Sequence, residues 1–142
     1  MNIQFNDKRA LVTASTGGIG FAIAQGLAEA GADIILNGRS MESVADAVAR
    51  LAEAVPGTSV QGVAADLSTA EGVSTLVREA GAVDILVNNA GIYGPKDFYD
   101  ADDEVWDSYW QTNVMSGVRL SRALLPAMVN KGWGRVVFMS SE

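Results

Sequence analysis

The chain has 142 residues, 49% of them apolar, and a formal net charge of −7; that length suits one domain, and the acidity argues against a nucleic-acid partner, whose phosphates need clustered Lys and Arg. With no Cys and no His there is no disulfide framework and no histidine base, and a metal site would need oxygen ligands, for which no acidic cluster has calcium-loop spacing. No apolar run approaches the roughly 20 residues of a membrane span, and the first ten residues lack a signal peptide's apolar stretch, so no membrane partner is expected and a cytoplasmic setting is the default.

Short apolar runs alternate with amphipathic stretches along the chain. Residues 9–14 (RALVTA) read as a buried strand, followed by a glycine-rich turn. A helix over about 18–30 ends at Gly31, a C-cap type. Residues 32–37 (ADIILN) form a second strand. Ser40 is an N-cap candidate for a helix to about Ala54, stopped by Pro56-Gly57. Residues 59–63 are a third strand, and Ser68 or Thr69 can cap the next helix, which ends near Gly81. Residues 83–88 (VDILVN) are a fourth strand. A loop over about 91–101 leads into one long helix, roughly 103–130, broken by Gly132-Trp133-Gly134. Residues 135–140 (RVVFMS) are the fifth strand. Five continuous apolar strands alternating with helices predict an α/β fold, a parallel sheet of right-handed βαβ units. The expected architecture is a Rossmann-type doubly wound sheet in the order 3-2-1-4-5 over 1–142, with its ligand at the carboxyl ends of the strands beside strand 1.

The turn Thr13-Ala14-Ser15-Thr16-Gly17-Gly18-Ile19-Gly20 joins the first strand to the first helix. In that place, free backbone N–H groups and the positive end of a helix converge on an anion, and glycines let a phosphate approach the backbone. Gly18 and Gly20 sit where the helix begins. A P-loop fits worse, because no Lys lies near the turn.

The turn's spacing resembles the T-G-x-x-x-G-x-G motif of the short-chain dehydrogenases/reductases, with Ala14 in place of the first glycine. Ala14 is compatible with the turn if its φ is negative. Four more matches follow in order: Asp66-Leu67 after strand 3, Asn88-Asn89-Ala90-Gly91 after strand 4, Asn113 at the family's catalytic Asn position, and Ser140-Ser141 at its catalytic Ser position. The resemblance implies an NAD(P)-dependent oxidoreductase that moves hydride between coenzyme and a small-molecule alcohol or carbonyl substrate, as a homo-oligomer when full-length. It assigns Thr13, Ser15, Gly18, Ile19, Gly20, Asp66, Leu67, Asn89, Ala90 and Gly91 to the coenzyme, with Asp66 on the adenine amino group, and Asn113 and Ser141 to catalysis, with no metal.

The residues themselves admit simpler readings. Asp66 is also a turn cap, and both serines could merely cap a strand end. Asn113 shares a helical stripe with Trp106, Trp110, Val114, Gly117, Leu120 and Leu124, so it is expected to be buried. A buried amide then needs a partner, either a catalytic water or a backbone neighbour. For the coenzyme, no acid stands at Asn37 to bind the ribose hydroxyls of NAD, whereas Arg39 can grip a 2′-phosphate and Ser40 can add a hydroxyl. NADP is therefore expected rather than NAD.

The family's Tyr-x-x-x-Lys pair, i and i+4 on one helix face, has no match. Tyr93, Tyr99 and Tyr109 have Asp97, Asp103 and Asn113 at i+4. The resemblance thus identifies the chain as an N-terminal, coenzyme-binding part, with the catalytic and substrate segment beyond Glu142; a non-catalytic nucleotide- or partner-binding fragment is the alternative. It also implies that later helices and strands cover the sheet's far side. Apolar side chains of Val83–Val87 and Val136–Met139 on that face are expected to lack cover, and strand 5 to be an open edge.

Overall fold

The computed structural model describes residues 3–140. Its strands are β1 (Arg9–Val12), β2 (Asp33–Gly38), β3 (Val60–Ala64), β4 (Ile85–Asn88) and β5 (Arg135–Phe138). All neighbours pair in parallel, in the order β3-β2-β1-β4-β5 expected from the sequence. The helices between them are α1 (Gly18–Glu29), α2 (Met41–Ala54) and α3 (Ala70–Ala80), then α4 (Asp103–Tyr109) and α5 (Ser116–Lys131) before β5.

Alternation along each strand sends successive side chains to opposite faces. Leu11, Ile35 and Leu86 pack on one face with Leu76 of α3 and Leu120 and Leu124 of α5. Val12, Ile34, Leu36, Ile85 and Val87 pack on the other with Ala24 and Ala28 of α1 and Ala47 and Leu51 of α2. Each such Leu, Ile or Val contributes roughly 1.5–3 kcal/mol by leaving water. Ser40 and Thr69 are the N-caps of α2 and α3, accepting from the N–H groups of Ser43 and Gly72.

The predicted long helix is two helices joined by a π-helical turn, Trp110–Met115. The predicted stripe is buried only from Ser116 onward; Trp106 and Trp110 are more than half exposed, and Asn113 is exposed as well. The π turn adds a residue to one turn of helix and shifts the helical phase ahead of Ser116, and neither α4 nor the π turn buries a residue, which periodicity alone does not register. The loop before α4 also carries a short 3-10 turn, Phe98–Asp100.

At the amino end of the sheet, Asp84 is buried and holds three elements together. Its carboxylate accepts from the Arg9 backbone N–H at 3.0 Å and from Lys131 Nζ at the end of α5. Burial pushes the Asp84 pKa up, but these donors outweigh it and hold the carboxyl below its ordinary value. A carboxyl lowered in the fold stabilises it above pH 3.8, and that contribution is lost as acid titrates it.

The expected loss of cover is confined to β5. Ile85 and Val87 of β4 are 3% and 4% exposed, because they belong to the same core cluster as Ala24 and Ala28 of α1 and Ala47 and Leu51 of α2, against which Trp133 and Phe5 also pack. Lys8 and Arg135 approach the Trp133 ring at 4.8 and 4.9 Å, which adds cation–π attraction at the same place. Val137, Phe138 and Met139, by contrast, are 43%, 58% and 43% exposed on an edge strand. An apolar edge pairs readily with another chain, and an edge Lys opposes this. The 142-residue chain is expected to scatter light at micromolar concentration, and Val137→Lys to reduce the scattering; a monomeric chain with one cooperative denaturant transition contradicts this.

Candidate functional site

An open cleft of about 380 Å³ lies at the carboxyl ends of β1, β2, β3 and β4. It brings together Ala14 and Thr16 of the glycine turn, Gly38 and Arg39 after β2, Asp66 and Leu67 after β3, and Ala90 and Gly91 after β4. Four segments far apart in sequence therefore converge where a doubly wound sheet binds its ligand. Ser108 and Thr112, ahead of α5, close one side of the cleft.

The turn beside the cleft is held from both sides. Thr13 Oγ1 accepts from the backbone N–H groups of Asn89 and Ala90, at 2.9 and 2.8 Å. Asn89 Nδ2 donates to the carbonyls of Thr13 and Ala14, at 3.1 and 3.2 Å. These bonds lash the end of β4 to the end of β1. Ser15 is buried, its Oγ donating to the Val12 carbonyl and accepting from the Asn37 N–H. Thr13 and Ser15 thus face inward and support the turn, with no side chain left to contact a ligand directly.

Ala14 has φ +49°, not the negative φ expected from its side chain. It occupies the left-handed region that a glycine tolerates and an L-residue enters at a cost of about 1–2 kcal/mol. The geometry of the turn is kept although the glycine is not. Gly18, at φ +54°, also needs that freedom. At Gly20 a Cβ would lie 2.5 Å from the Ala14 carbonyl oxygen and 2.6 Å from Asn89 Nδ2, so glycine is required for the helix to start this close to the turn. Gly17 caps α1 without any side-chain bond, and no acidic residue stands in the first turn. The helix's amino end is thus left with free N–H groups and positive partial charge, the features that hold an anion. Ile19 beside it is 67% exposed.

Around the cleft, Asp66 Oδ1 accepts from the N–H and hydroxyl of Ser68 at 3.0 and 2.8 Å. These bonds, and the positive charge of Arg39, hold the Asp66 carboxyl below its ordinary value against a smaller effect of burial. It stays an acceptor-only carboxylate at neutral pH, suited to an amino-group donor. Asn37 lines the cleft but is only 2% exposed, and its amide is engaged by the Ala14 N–H and the carbonyls of Val63 and Ala65. The strand end that opens to the cleft is Gly38, where a Cβ would lie 2.5 Å from Thr16 Cγ2. Ser40 Oγ is engaged as the cap of α2.

Asn113, in the π turn, is satisfied by a backbone neighbour. Its Oδ1 accepts from the Ile92 N–H at 2.7 Å and its Nδ2 donates to the Ile92 carbonyl at 3.0 Å, and Gly91 abuts it. This pairing fixes the loop after β4 against the π turn. Ser141 lies outside the described residues. Among the described residues, no group of three or more acidic side chains could hold a metal ion, and no helix is long and apolar enough to cross a membrane.

Residues 8–142 match the family model described as short chain dehydrogenase. The chain belongs to the short-chain dehydrogenase family. It is 44% identical over its whole length to YvaG of Bacillus subtilis, named an uncharacterized oxidoreductase, of which it covers 54%. It is 41% identical to a D-beta-hydroxybutyrate dehydrogenase of Cupriavidus necator, matching over 97% of this chain and 54% of that one. Among solved short-chain dehydrogenases, L-sorbose reductase of Gluconobacter frateurii, complexed with NADPH and L-sorbose, superposes with a TM-score of 0.90 at 39% identity, over 97% of this chain and 54% of that one. A 3-oxoacyl (acyl-carrier-protein) reductase of Agrobacterium tumefaciens C58, solved with NADP bound, gives 0.90 at 37% identity, with the same coverage. The chain spans about half the length of the curated relatives it matches.

Two contributors to this short-chain dehydrogenase cleft escaped the sequence reading. Asn37 entered it only as an absent acid, although a polar side chain ending an apolar strand signals a buried hydrogen-bond hub. Arg50 of α2 donates to the Thr16 carbonyl, pairs with Asp46 at 2.9 Å and lies 4.4 Å over the Phe21 ring; an Arg on a polar helix face carries no such signal. The strain at Ala14 makes a direct prediction. Ala14→Gly removes about 1–2 kcal/mol of left-handed cost and adds about 0.4–1 kcal/mol of unfolded-chain entropy. A net stabilisation of up to about 1.5 kcal/mol is expected in denaturant unfolding, and a destabilised variant would contradict the strained geometry.

Proposed function

We propose that the chain is the coenzyme-binding part of an NADP-dependent alcohol–carbonyl oxidoreductase. The observation that carries this reading is the pairing of a cationic Arg39 with a side-chain-free Gly38 at the mouth of the cleft, beside an uncapped helix start. A dinucleotide carries a pyrophosphate, an adenine and, in NADP, a 2′-phosphate. The open N–H groups at Gly17–Gly20 suit the pyrophosphate, the Asp66 carboxylate suits the adenine amino group, and the Arg39 guanidinium suits the 2′-phosphate with a bidentate, charge-assisted contact. With no acid at the end of β2, nothing there favours the two free ribose hydroxyls of NAD. Solved relatives with NADPH or NADP bound support the same reading.

The bound coenzyme would supply the hydride. The chain's own work is to hold that coenzyme and to fix the wall beside it. Asn89, Ala90 and Gly91 form the floor next to the turn, and Asn113 orders the loop that begins at Gly91. Ser141 is proposed to donate a hydrogen bond to the substrate oxygen, which stabilises charge developing there. A small-molecule alcohol or carbonyl compound is the proposed substrate class, and a homo-oligomer the proposed assembly of the longer protein.

The test is Arg39→Ala with both coenzymes. A lost charge-assisted contact is worth about 1.5–3 kcal/mol, so NADPH affinity should fall about 10- to 100-fold while NADH affinity changes less than about threefold. Equal losses for the two coenzymes would remove Arg39 from the 2′-phosphate, and binding of neither by the parent chain would refute the coenzyme reading.

A further inference from the structure

Asn37 closes β2 with its amide wholly engaged in the interior. Its Oδ1 accepts from the Ala14 N–H at 3.2 Å, and its Nδ2 donates toward the carbonyls of Val63 and Ala65, at 3.2 and 3.3 Å. The main chain adds a reciprocal pair with Ser15: the Asn37 N–H donates to Ser15 Oγ at 3.0 Å, and the Ser15 N–H to the Asn37 carbonyl at 2.8 Å. The three carbonyls near Nδ2, the third being that of Gly38 at 3.4 Å, require a donor there, and the Ala14 N–H requires an acceptor. The amide orientation is therefore dictated by its partners.

Ala14 is the strained residue of the turn, and both its peptide groups are held by side chains. Asn37 takes its N–H, and Asn89 Nδ2 reaches its carbonyl oxygen at 3.2 Å. A non-glycine residue stays in the left-handed region only when its surroundings over-determine it. The same Asn37 amide binds the Ala65 carbonyl, one residue before Asp66. One buried side chain thus spans the phosphate side and the adenine side of the cleft.

We propose that Asn37 is a positioning residue of the coenzyme site: its amide latches Ala14 in the left-handed conformation and so presents the glycine turn to the pyrophosphate. The proposal rests on the coenzyme reading above. It assigns Asn37 a part distinct from that of Arg39, because the pyrophosphate is common to NADP and NAD whereas the 2′-phosphate is not. A residue that merely joins β2 to β3 would have no dependence on what stands at position 14.

The test is a double-mutant cycle of Asn37→Ala and Ala14→Gly in the Val137→Lys background, where edge association is suppressed, read by NADPH and NADH dissociation constants and by the thermal midpoint. Asn37→Ala alone is expected to weaken both coenzymes about tenfold. In the A14G background the same change should cost about threefold or less, because glycine holds a positive φ without a latch. Equal losses in the two backgrounds overturn the proposal, and so does a loss confined to NADPH. If Asn37→Ala alone does not fold, recovery of a folded, coenzyme-binding chain in the A14G background supports the latch, and failure of the double variant to fold overturns it. A parent chain that binds neither coenzyme refutes the coenzyme site, whereas the midpoint cycle still tests the latch on Ala14: coupled midpoints keep it and additive midpoints remove it.

Discussion

A left-handed backbone at Ala14 is the constraint on which the cleft depends. The chain must leave β1, reverse away from the sheet and enter α1 within a few residues, and the available path runs through a positive φ. An alanine there is unfavourable on its own, yet its N–H is held by Asn37 and its carbonyl by Asn89, whose own backbone is held in turn by Thr13 Oγ1. Those three side chains come from the ends of β1, β2 and β4. The turn is therefore only as well placed as the strands beneath it, and the register of the parallel sheet is converted directly into the position of a few backbone N–H groups.

The rest of the fold supplies that register. Side chains of β1, β2 and β4 are buried on both faces of the sheet, so a slip of one residue would turn each apolar set toward the wrong helices. Asp84 reinforces the alignment from the opposite end, where its carboxylate joins the first residue of β1 to the last turn of α5. The cleft end can then carry unfavourable features, including a strained alanine and an uncapped helix start, because they are offset by the packed strands below. Local rules broken at one end of a well-packed sheet mark a place where function rather than stability has set the residues.

Much of this was legible in the sequence, and for identifiable reasons. Apolar runs such as Ile34-Ile35-Leu36 and Ile85-Leu86-Val87 fixed strand positions, and their alternation with helical stretches gave the parallel order. Ser40 and the glycines at 31, 81 and 132 marked helix ends correctly. Three matters were not legible. The φ of Ala14 depends on partners from distant strands, which no local pattern records. The π turn around Asn113 shifts the helical phase by one residue, so the pattern suggests one continuous stripe where the structure buries it only from Ser116 onward. The burial of Ile85 and Val87 rests on a shared cluster that Trp133 and Phe5 join, and in the sequence Trp133 stands only as part of a Gly-Trp-Gly break between helix and strand. Within the candidate site, the sequence marks the segments that meet, whereas the division between cleft-facing and supporting residues comes from burial: Thr13 and Ser15 support, and Arg39 and Asp66 face the cleft.

The most direct test of the central claim is amide chemical-shift mapping during titration with NADPH, carried out on the Val137→Lys chain, whose edge strand no longer invites association. A turn held open for a pyrophosphate should show its largest amide shifts at Gly17, Gly18, Ile19 and Gly20, with smaller ones at Arg39, Ser68 and Gly91 around the same cleft. Saturable shifts of that pattern are the result this account predicts. Shifts absent from the turn, or centred on the groove near Trp133 and Val136 at the other end of the sheet, would contradict it.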